Sequence, residues 1–359
     1  VVHLAVTAQV LIVGGGVAGM SCAISLRRSG VAVDLLEIDP SWTAYPCGIT
    51  ATGPALRALQ ILGVLDEVQR HGASWEGADH FSQAGEPITP ELPGPAETVG
   101  ILRSELHKLL AARTLAAGVH VRLGTTVETL SLVPGGVEVK LTNGHREQYG
   151  LVVGADGIYS KVRERIFPGA PRPRLTGQVV YRLIAERPRA FDRTHCYHSV
   201  NARLALHPVS PTQLYLMLLL RSPSNPWIAH EDQPRRLYEA LTGWGGIAAQ
   251  VRQAVMTTSS RSVNYRPLEA VQLAGPWYRG RVVLIGDAAC ASAARLGAGA
   301  GMAIEDGTLL AQEIMRDGNI DAALARFMKR CRECGNAAAE SAFTLTDRVA
   351  AAAPLARSP

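Results

Sequence analysis

Apolar and polar positions along this chain follow two different rhythms. Val10–Val13 is an unbroken apolar run that ends in glycine, the pattern of a strand buried on both faces. Residues 14–19 predict a loop, Met20–Ser29 a helix stopped by Gly30, and Val31–Leu36 a second strand closed by Glu37. Together they make a β-α-β unit. Pro54–Arg70 predicts one helix through Leu56, Leu59, Leu62 and Leu65. Residues 76–98, rich in Gly and Pro, predict loop or short strands. Ser104–Ala117 predicts a further helix, ended by Gly118. Strands are expected at Val119–Leu123, Val127–Leu132, Val137–Leu141 and Leu151–Ala155, with Asn143-Gly144 as a hairpin turn.

Beyond Pro171–Arg174, which reads as a linker, the rhythm changes. Val179–Ala185, Tyr197–Leu206 and Gln213–Leu220 alternate or run apolar as sheet strands do. They predict a second, sheet-based lobe. Arg281–Ile285 returns to a short buried strand, followed by a glycine-rich loop and an Ala-rich helical tail from near Met302.

Composition narrows the class. With 359 residues, 47% of them hydrophobic, the chain has enough apolar mass for two lobes. Aromatics at 5% argue against a nucleic-acid stacking platform. The net charge of +5 resides in stretches such as Arg163–Arg174 and Arg182–Arg193, which prolines and acids interrupt. Such stretches are solvated surface, and the mild positive field suits an anionic cofactor or substrate. The six cysteines form no disulfide framework. Cys331-x-x-Cys334 lacks a second ligand pair, and His195, Cys196 and His198 lack a fourth ligand, so no metal site is expected. The longest apolar run, Leu214–Leu220, is too short to cross a bilayer, and no leader pattern opens the chain. The expectation is a cytoplasmic protein with neither membrane nor nucleic acid as partner.

Three motifs carry chemistry. Gly14-Gly15-Gly16-Val17-Ala18-Gly19 is a G-x-G-x-x-G between strand and helix, where free N–H groups meet a pyrophosphate. Glu37, 18 residues after Gly19, is placed to accept the adenosine ribose hydroxyls and to repel a 2′-phosphate, which leaves FAD or NAD. Gly154-Ala155-Asp156-Gly157, followed by Ser160 and Arg163, ends a buried strand; by itself Asp156 is equally a helix cap. Gly286-Asp287-Ala288-Ala289 follows a third strand and precedes the glycine run Gly297–Gly301, which opens a helix toward an anion.

In this order and at these separations the motifs resemble the single-component FAD-dependent aromatic hydroxylases, the group with the para-hydroxybenzoate hydroxylase fold that includes salicylate-hydroxylase-like enzymes. The resemblance spans roughly residues 8–345 and is weakest in the second lobe. It implies an α/β fold: a Rossmann-type FAD domain with an inserted sheet-based substrate domain and C-terminal helices. The FAD domain is expected over 1–75, 97–172 and 268–350, the substrate domain over 76–96 and 173–267, and a tail over 351–359. It implies FAD seated by Gly14, Gly16, Val17, Ala18, Gly19, Glu37 and Ile38, with Gly48 and Thr50 beside the flavin. Arg103, the backbone at Val127, Asp156, Gly157, Gly286 and Asp287 carry over as further FAD contacts, as do Gly297, Gly299, Ala300, Gly301 and Met302.

The chain departs from the family pattern at Cys290 in place of His, Ala294 in place of Pro, and Ala298 in place of Gln. Backbone contacts survive such changes, whereas the surroundings of an oxygen adduct depend on them. The resemblance implies reduction of FAD by NADH or NADPH, addition of O2 at flavin C4a as a hydroperoxide, and hydroxylation of a small aromatic or heteroaromatic substrate. The reduced flavin would be stabilised at the helix start over Gly299–Met302. It names no universal protein base. Tyr181, Arg182 and Tyr215 are the catalytic candidates, and Tyr197, His198 and Met217 are candidate pocket residues. Cys47 near the flavin is a packing residue or, alternatively, an attachment point. The alternatives are another reductase or oxidase on the same scaffold, an NAD dehydrogenase, or a non-catalytic flavoprotein. No Trp-x-Trp-x-Ile-Pro sequence argues for a halogenase. A monomer or homodimer is expected.

Overall fold

A computed structural model describes residues 9–89, 97–256, 262–291 and 299–331. Its first sheet has six strands, in the spatial order Tyr278–Arg279, Val282–Leu284, Leu151–Gly154, Val10–Val13, Val33–Glu37, His120–Leu123. All pair in parallel except the two-residue edge strand. Val10–Val13 and Leu151–Gly154 are buried throughout, as their unbroken apolar runs require. Helices Val17–Arg28, Arg103–Ala116 and Gly299–Asp317 pack around this sheet. A three-stranded antiparallel sheet, 127–149, joins it, and its last turn at Asn143-Gly144 is the expected hairpin, with Gly144 at φ 92°.

The second sheet has eight strands: Cys290–Ala291, Val263–Gln272, Arg174–Glu186, Gln213–Arg221, Ala202–Pro208, Thr194–His198, Ala78–Ser82, Pro87–Ile88. Alternation gives each strand two faces. Val179, Tyr181, Leu183, Leu204, Leu206, Leu216 and Leu218 point one way, into a core shared with Leu237, Trp244, Ala248 and Val251 of helices Gln233–Ala240 and Gly246–Val255. Tyr215 points the other way and packs with Cys47 and Val209, with Leu102, Ile184 and Met217 against them. A small sheet of Gly48–Thr52, Thr98–Leu102 and Ala73–Trp75 stands between the lobes.

Several elements differ from the pattern-based expectation. The single helix over Pro54–Arg70 is two, Gly53–Leu62 and Leu65–His71. Gly63 at φ 71° ends the first, and its N–H and that of Val64 close on Gln60 O and Leu59 O. The run Tyr197–Leu206 is two strands joined by a turn, with Ser199 N donating to Ala202 O at 3.1 Å. The helices at 233–240 and 246–255 and the strand Gly48–Thr52 carried no recognised pattern.

Candidate functional site

Three motifs remote in sequence converge because their strands are neighbours. Val13 pairs with Gly154, and Gly154 with Leu284. The loops after these strands therefore leave the same edge of the sheet, the edge at which open α/β sheets bind ligands. Backbone bonds carry the alignment beyond the strands, from Ala155 N to Val13 O at 2.8 Å and from Ile285 N to Gly154 O at 3.0 Å.

The glycine loop divides its labour. Gly14 lies at φ 112°, where a Cβ would strike Ala155 O. At Gly19 a Cβ would strike Gly14 O. These two glycines serve packing. Gly16 is different: a Cβ there meets nothing within 4 Å, and no side chain caps the helix it opens. The open space beside uncapped first-turn N–H groups is a cradle for a pyrophosphate. Glu37 stands next to it. Its carboxylate accepts from Gly15 N and Asp39 N, both at 2.8 Å. Thr125 N donates to Glu37 O at 3.2 Å, which brings the buried start of the Val127 strand alongside, while Ile38 is exposed.

Asp156 caps the helix Lys161–Ile166, accepting from Lys161 N at 2.7 Å and Val162 N at 3.1 Å through one oxygen. The other, Oδ1, is buried without a partner among the described residues, and burial holds this carboxyl above its usual range. Such an orphan acceptor fits a site completed by a hydroxyl-bearing ligand. Gly157, at φ 77°, turns the chain away. Arg163 is fully buried and ties this loop to the third motif, donating to Ile158 O and Ala288 O at 2.7 Å each. Gly286 sits where a Cβ would press on Ala18 and Ala303, and its N–H donates to the buried Asp306 at 3.0 Å. Asp287 itself is exposed toward solvent.

The helix Gly299–Asp317 starts beside Ala55, which a Cβ on Gly301 would touch at 2.9 Å, and it contacts the strand Gly48–Thr52. The start of this helix, with Gly299, Ala300, Gly301 and Met302, thus lies near the small sheet that holds Gly48 and Thr50. Gly297, with the departures at Ala294 and Ala298, lies outside the described residues, as does Cys334. Arg103 is exposed at the start of its helix, and its N–H donates to Cys47 O at 2.8 Å. Cys47 is buried as a packing residue against Tyr215.

Of the catalytic candidates, the structure brings Arg182 and Tyr215 together and separates Tyr181 from them. Tyr181 faces the helix-covered core, with its ring 4.9 Å from Tyr265, because neighbouring strand residues point to opposite faces. Tyr197 is likewise on that side, edge-on to Trp244. The expectation that these two tyrosines line the site is corrected accordingly. Tyr215 is 5% exposed, its ring lies where a Cβ on Gly48 would go, and burial pushes its phenol upward against the lowering effect of the Arg182 charge. Register places Asn264 beside Arg182 and Arg266 one row further along the same face. Asn264 is 5% exposed, with Oδ1 unpartnered among the described residues. Arg266 lies over the Tyr45 ring at 5.4 Å.

Trp42 and His107 escaped the sequence reading. The Trp42 indole donates to Gly15 O at 2.9 Å, and His107 meets it edge-on at 5.8 Å. His107 follows Arg103 by one helical turn; that spacing is the signal that would have found it. Its pKa is lowered by burial and then by Arg103. Among the described residues no group of three or more His, Cys, Asp or Glu is arranged to hold a metal, and no helix is long and apolar enough to cross a membrane.

Comparison with known proteins gives a consistent picture. The profile of the FAD binding domain family matches residues 7–341. The chain is 32% identical to 2-heptyl-3-hydroxy-4(1H)-quinolone synthase of Pseudomonas aeruginosa, over 84% of this chain and 80% of that protein. It is 29% identical to the aurachin C monooxygenase/isomerase of Stigmatella aurantiaca, over 89% of this chain and 83% of that one. Klebsiella pneumoniae HpxO, solved with FAD and uric acid, superposes with a TM-score of 0.82 at 21% identity, covering 95% of this chain and 91% of HpxO.

Proposed function

The chain belongs to the FAD binding domain family and is an FAD-dependent monooxygenase, and on that premise we propose that its substrate is a planar, anionic aromatic or heteroaromatic molecule held at Arg182, Tyr215, Asn264 and Arg266. The observation that carries this reading is the placement of Tyr215. It packs onto Gly48 of the small sheet with the Arg182 charge acting on its phenol, so the polar face of the second sheet meets the small sheet that adjoins the helix Gly299–Asp317. One relative is a 2-heptyl-3-hydroxy-4(1H)-quinolone synthase, and that heteroaromatic ring favours a ring-sized ligand here.

FAD held here would supply the redox chemistry, coupling oxidation of NADH or NADPH to entry of one oxygen atom of O2 into the ring and release of the other as water. The chain's residues position and shield. Gly16 and the uncapped helix start take the pyrophosphate, Glu37 the ribose, and Asp156 and Asp287 further hydroxyls. The dipole of the helix over Gly299–Asp317 would favour negative charge held near its start. Arg182 and Arg266 offer charge-assisted bonds to an acidic group. Asn264 Oδ1 accepts from a ring O–H or N–H. Leu102, Ile184 and Met217 exclude water from the reacting face.

FAD-loaded protein screened against phenolic and heteroaromatic acids should oxidise NADH or NADPH faster with a true substrate, and isotopically labelled O2 should leave its label in the product ring. Oxidation that yields only hydrogen peroxide across the panel would reject this substrate class in favour of an oxidase-like activity.

A further inference from the structure

The site-facing side of the eight-stranded sheet does not stop at Met217. Register carries one row from Arg182 through Met217 and Ala205 to Cys196 and His80. The next row runs from Val180 through Leu219 and Arg203 to His198. The face is therefore cationic beside the FAD lobe, apolar in its middle, and polar again at the far end. Met217, Ala205 and Leu219 are half-buried, which leaves the middle stretch partly open. At about 4.8 Å between strands, the far cluster stands roughly 14–19 Å from Arg182.

That cluster is built. His80 Nδ1 and His198 Nε2 are 2.9 Å apart, and the two rings stack at 5.2 Å with 5° between their planes. One proton serves that contact, so the pair consumes one ring nitrogen of each and leaves His80 Nε2 for a ligand. His198 is held down to about 4 by burial, then by His80 and Arg203, and burial also lowers His80. The neighbouring acid, Asp79, alternates to the opposite face and lies 3.6 Å from His195. His198 Nδ1 is buried without a partner among the described residues.

We propose that His80, His198 and Arg203 form a second subsite, which takes the carboxylate end of an elongated substrate whose ring lies at Arg182 and Tyr215 and whose apolar chain runs over Met217, Leu219 and Ala205. The inference rests on the aromatic reading given under Proposed function. Binding is read by calorimetry on FAD-loaded protein with para-hydroxybenzoate, 8-(para-hydroxyphenyl)octanoate, and the methyl ester of the latter acid. The long acid should bind at least about tenfold tighter than both its ester and the short acid. His80→Phe should remove most of that gain while para-hydroxybenzoate binds as before. If the ester binds as well as the long acid, or if the long acid gains nothing over the short one, the subsite is refuted and the aromatic reading stands. If neither acid binds, both fall. Should His80→Phe fail to retain FAD, the acid-against-ester comparison on the unaltered protein decides the matter alone.

Discussion

Gly14 and Gly16 are two residues apart, yet they answer to different demands. Gly14 has a left-handed φ and a carbonyl where its Cβ would be; Gly16 has an ordinary φ and open space. Gly14→Ala should therefore destabilise the fold itself, by at least about 1–2 kcal/mol from the backbone alone, lowering Tm even without cofactor. Gly16→Ala should leave the Tm of the FAD-free protein nearly unchanged and weaken FAD at least about tenfold, because the methyl occupies the pyrophosphate cradle. Parallel melting curves and FAD titrations of the two variants check this. Equal losses of Tm would refute the division. A second residue-scale expectation concerns acid. His207 and His198 both lie well below the ordinary 6.5, each at about 4, with burial as the main cause. A histidine with a depressed folded pKa leaves the unfolded chain binding protons that the folded chain refuses. Stability is then complete above about 6.5, falls as pH drops toward about 4, and levels below that. His207→Asn should flatten the slope of Tm against pH between these limits, and an unchanged slope would place the acid sensitivity elsewhere.

At the level of elements, Arg163 is the link between the second and third motifs. It is buried within the helix Lys161–Ile166 and holds carbonyls on either side of the nucleotide edge. Arg163→Met keeps much of its volume and leaves both acceptors unmet. Bonds to a charged donor contribute about 1.5–3 kcal/mol each, so a loss of about 3 kcal/mol and a weaker hold on FAD are expected, read by denaturant unfolding and flavin release. An unaltered midpoint would show that the linkage is dispensable. Sequence pattern was most informative where one signal had one meaning. Val10–Val13 with its glycines and Leu151–Gly154 with Asp-Gly are buried runs closed by a turn, and they lie where expected. Pattern failed where several structures share one signal. Leu214–Leu220 is apolar throughout, so it hides which side faces helices and which faces the site. The same ambiguity put Tyr181 on the wrong side, since a Tyr-Arg pair in a strand always sends its members apart. The helix Gln233–Ala240 carries two adjacent arginines and a proline and buries only Gln233 and Leu237, too few apolar positions to announce it.

For the whole molecule, the strand order decides when the site can exist. The central strand Val10–Val13 has as neighbours one strand from residue 33 and one from residue 151, and the latter's outer neighbour begins at residue 282. Glycine loop, Asp156 and Asp287 become adjacent only when that last strand is in place. A ribosome making this chain must therefore release it beyond the strand Val282–Leu284 before any dinucleotide can be gripped. A nascent chain halted after the strand Val263–Gln272 should remain colourless in excess FAD, whereas one extended past the helix Gly299–Asp317 should acquire the yellow cofactor. Colour at the earlier arrest would mean that the first glycine loop captures flavin unaided. Flavin supply would thus act on this protein as a late check on completeness, since a polypeptide cut short anywhere before residue 282 has no means of keeping its prosthetic group.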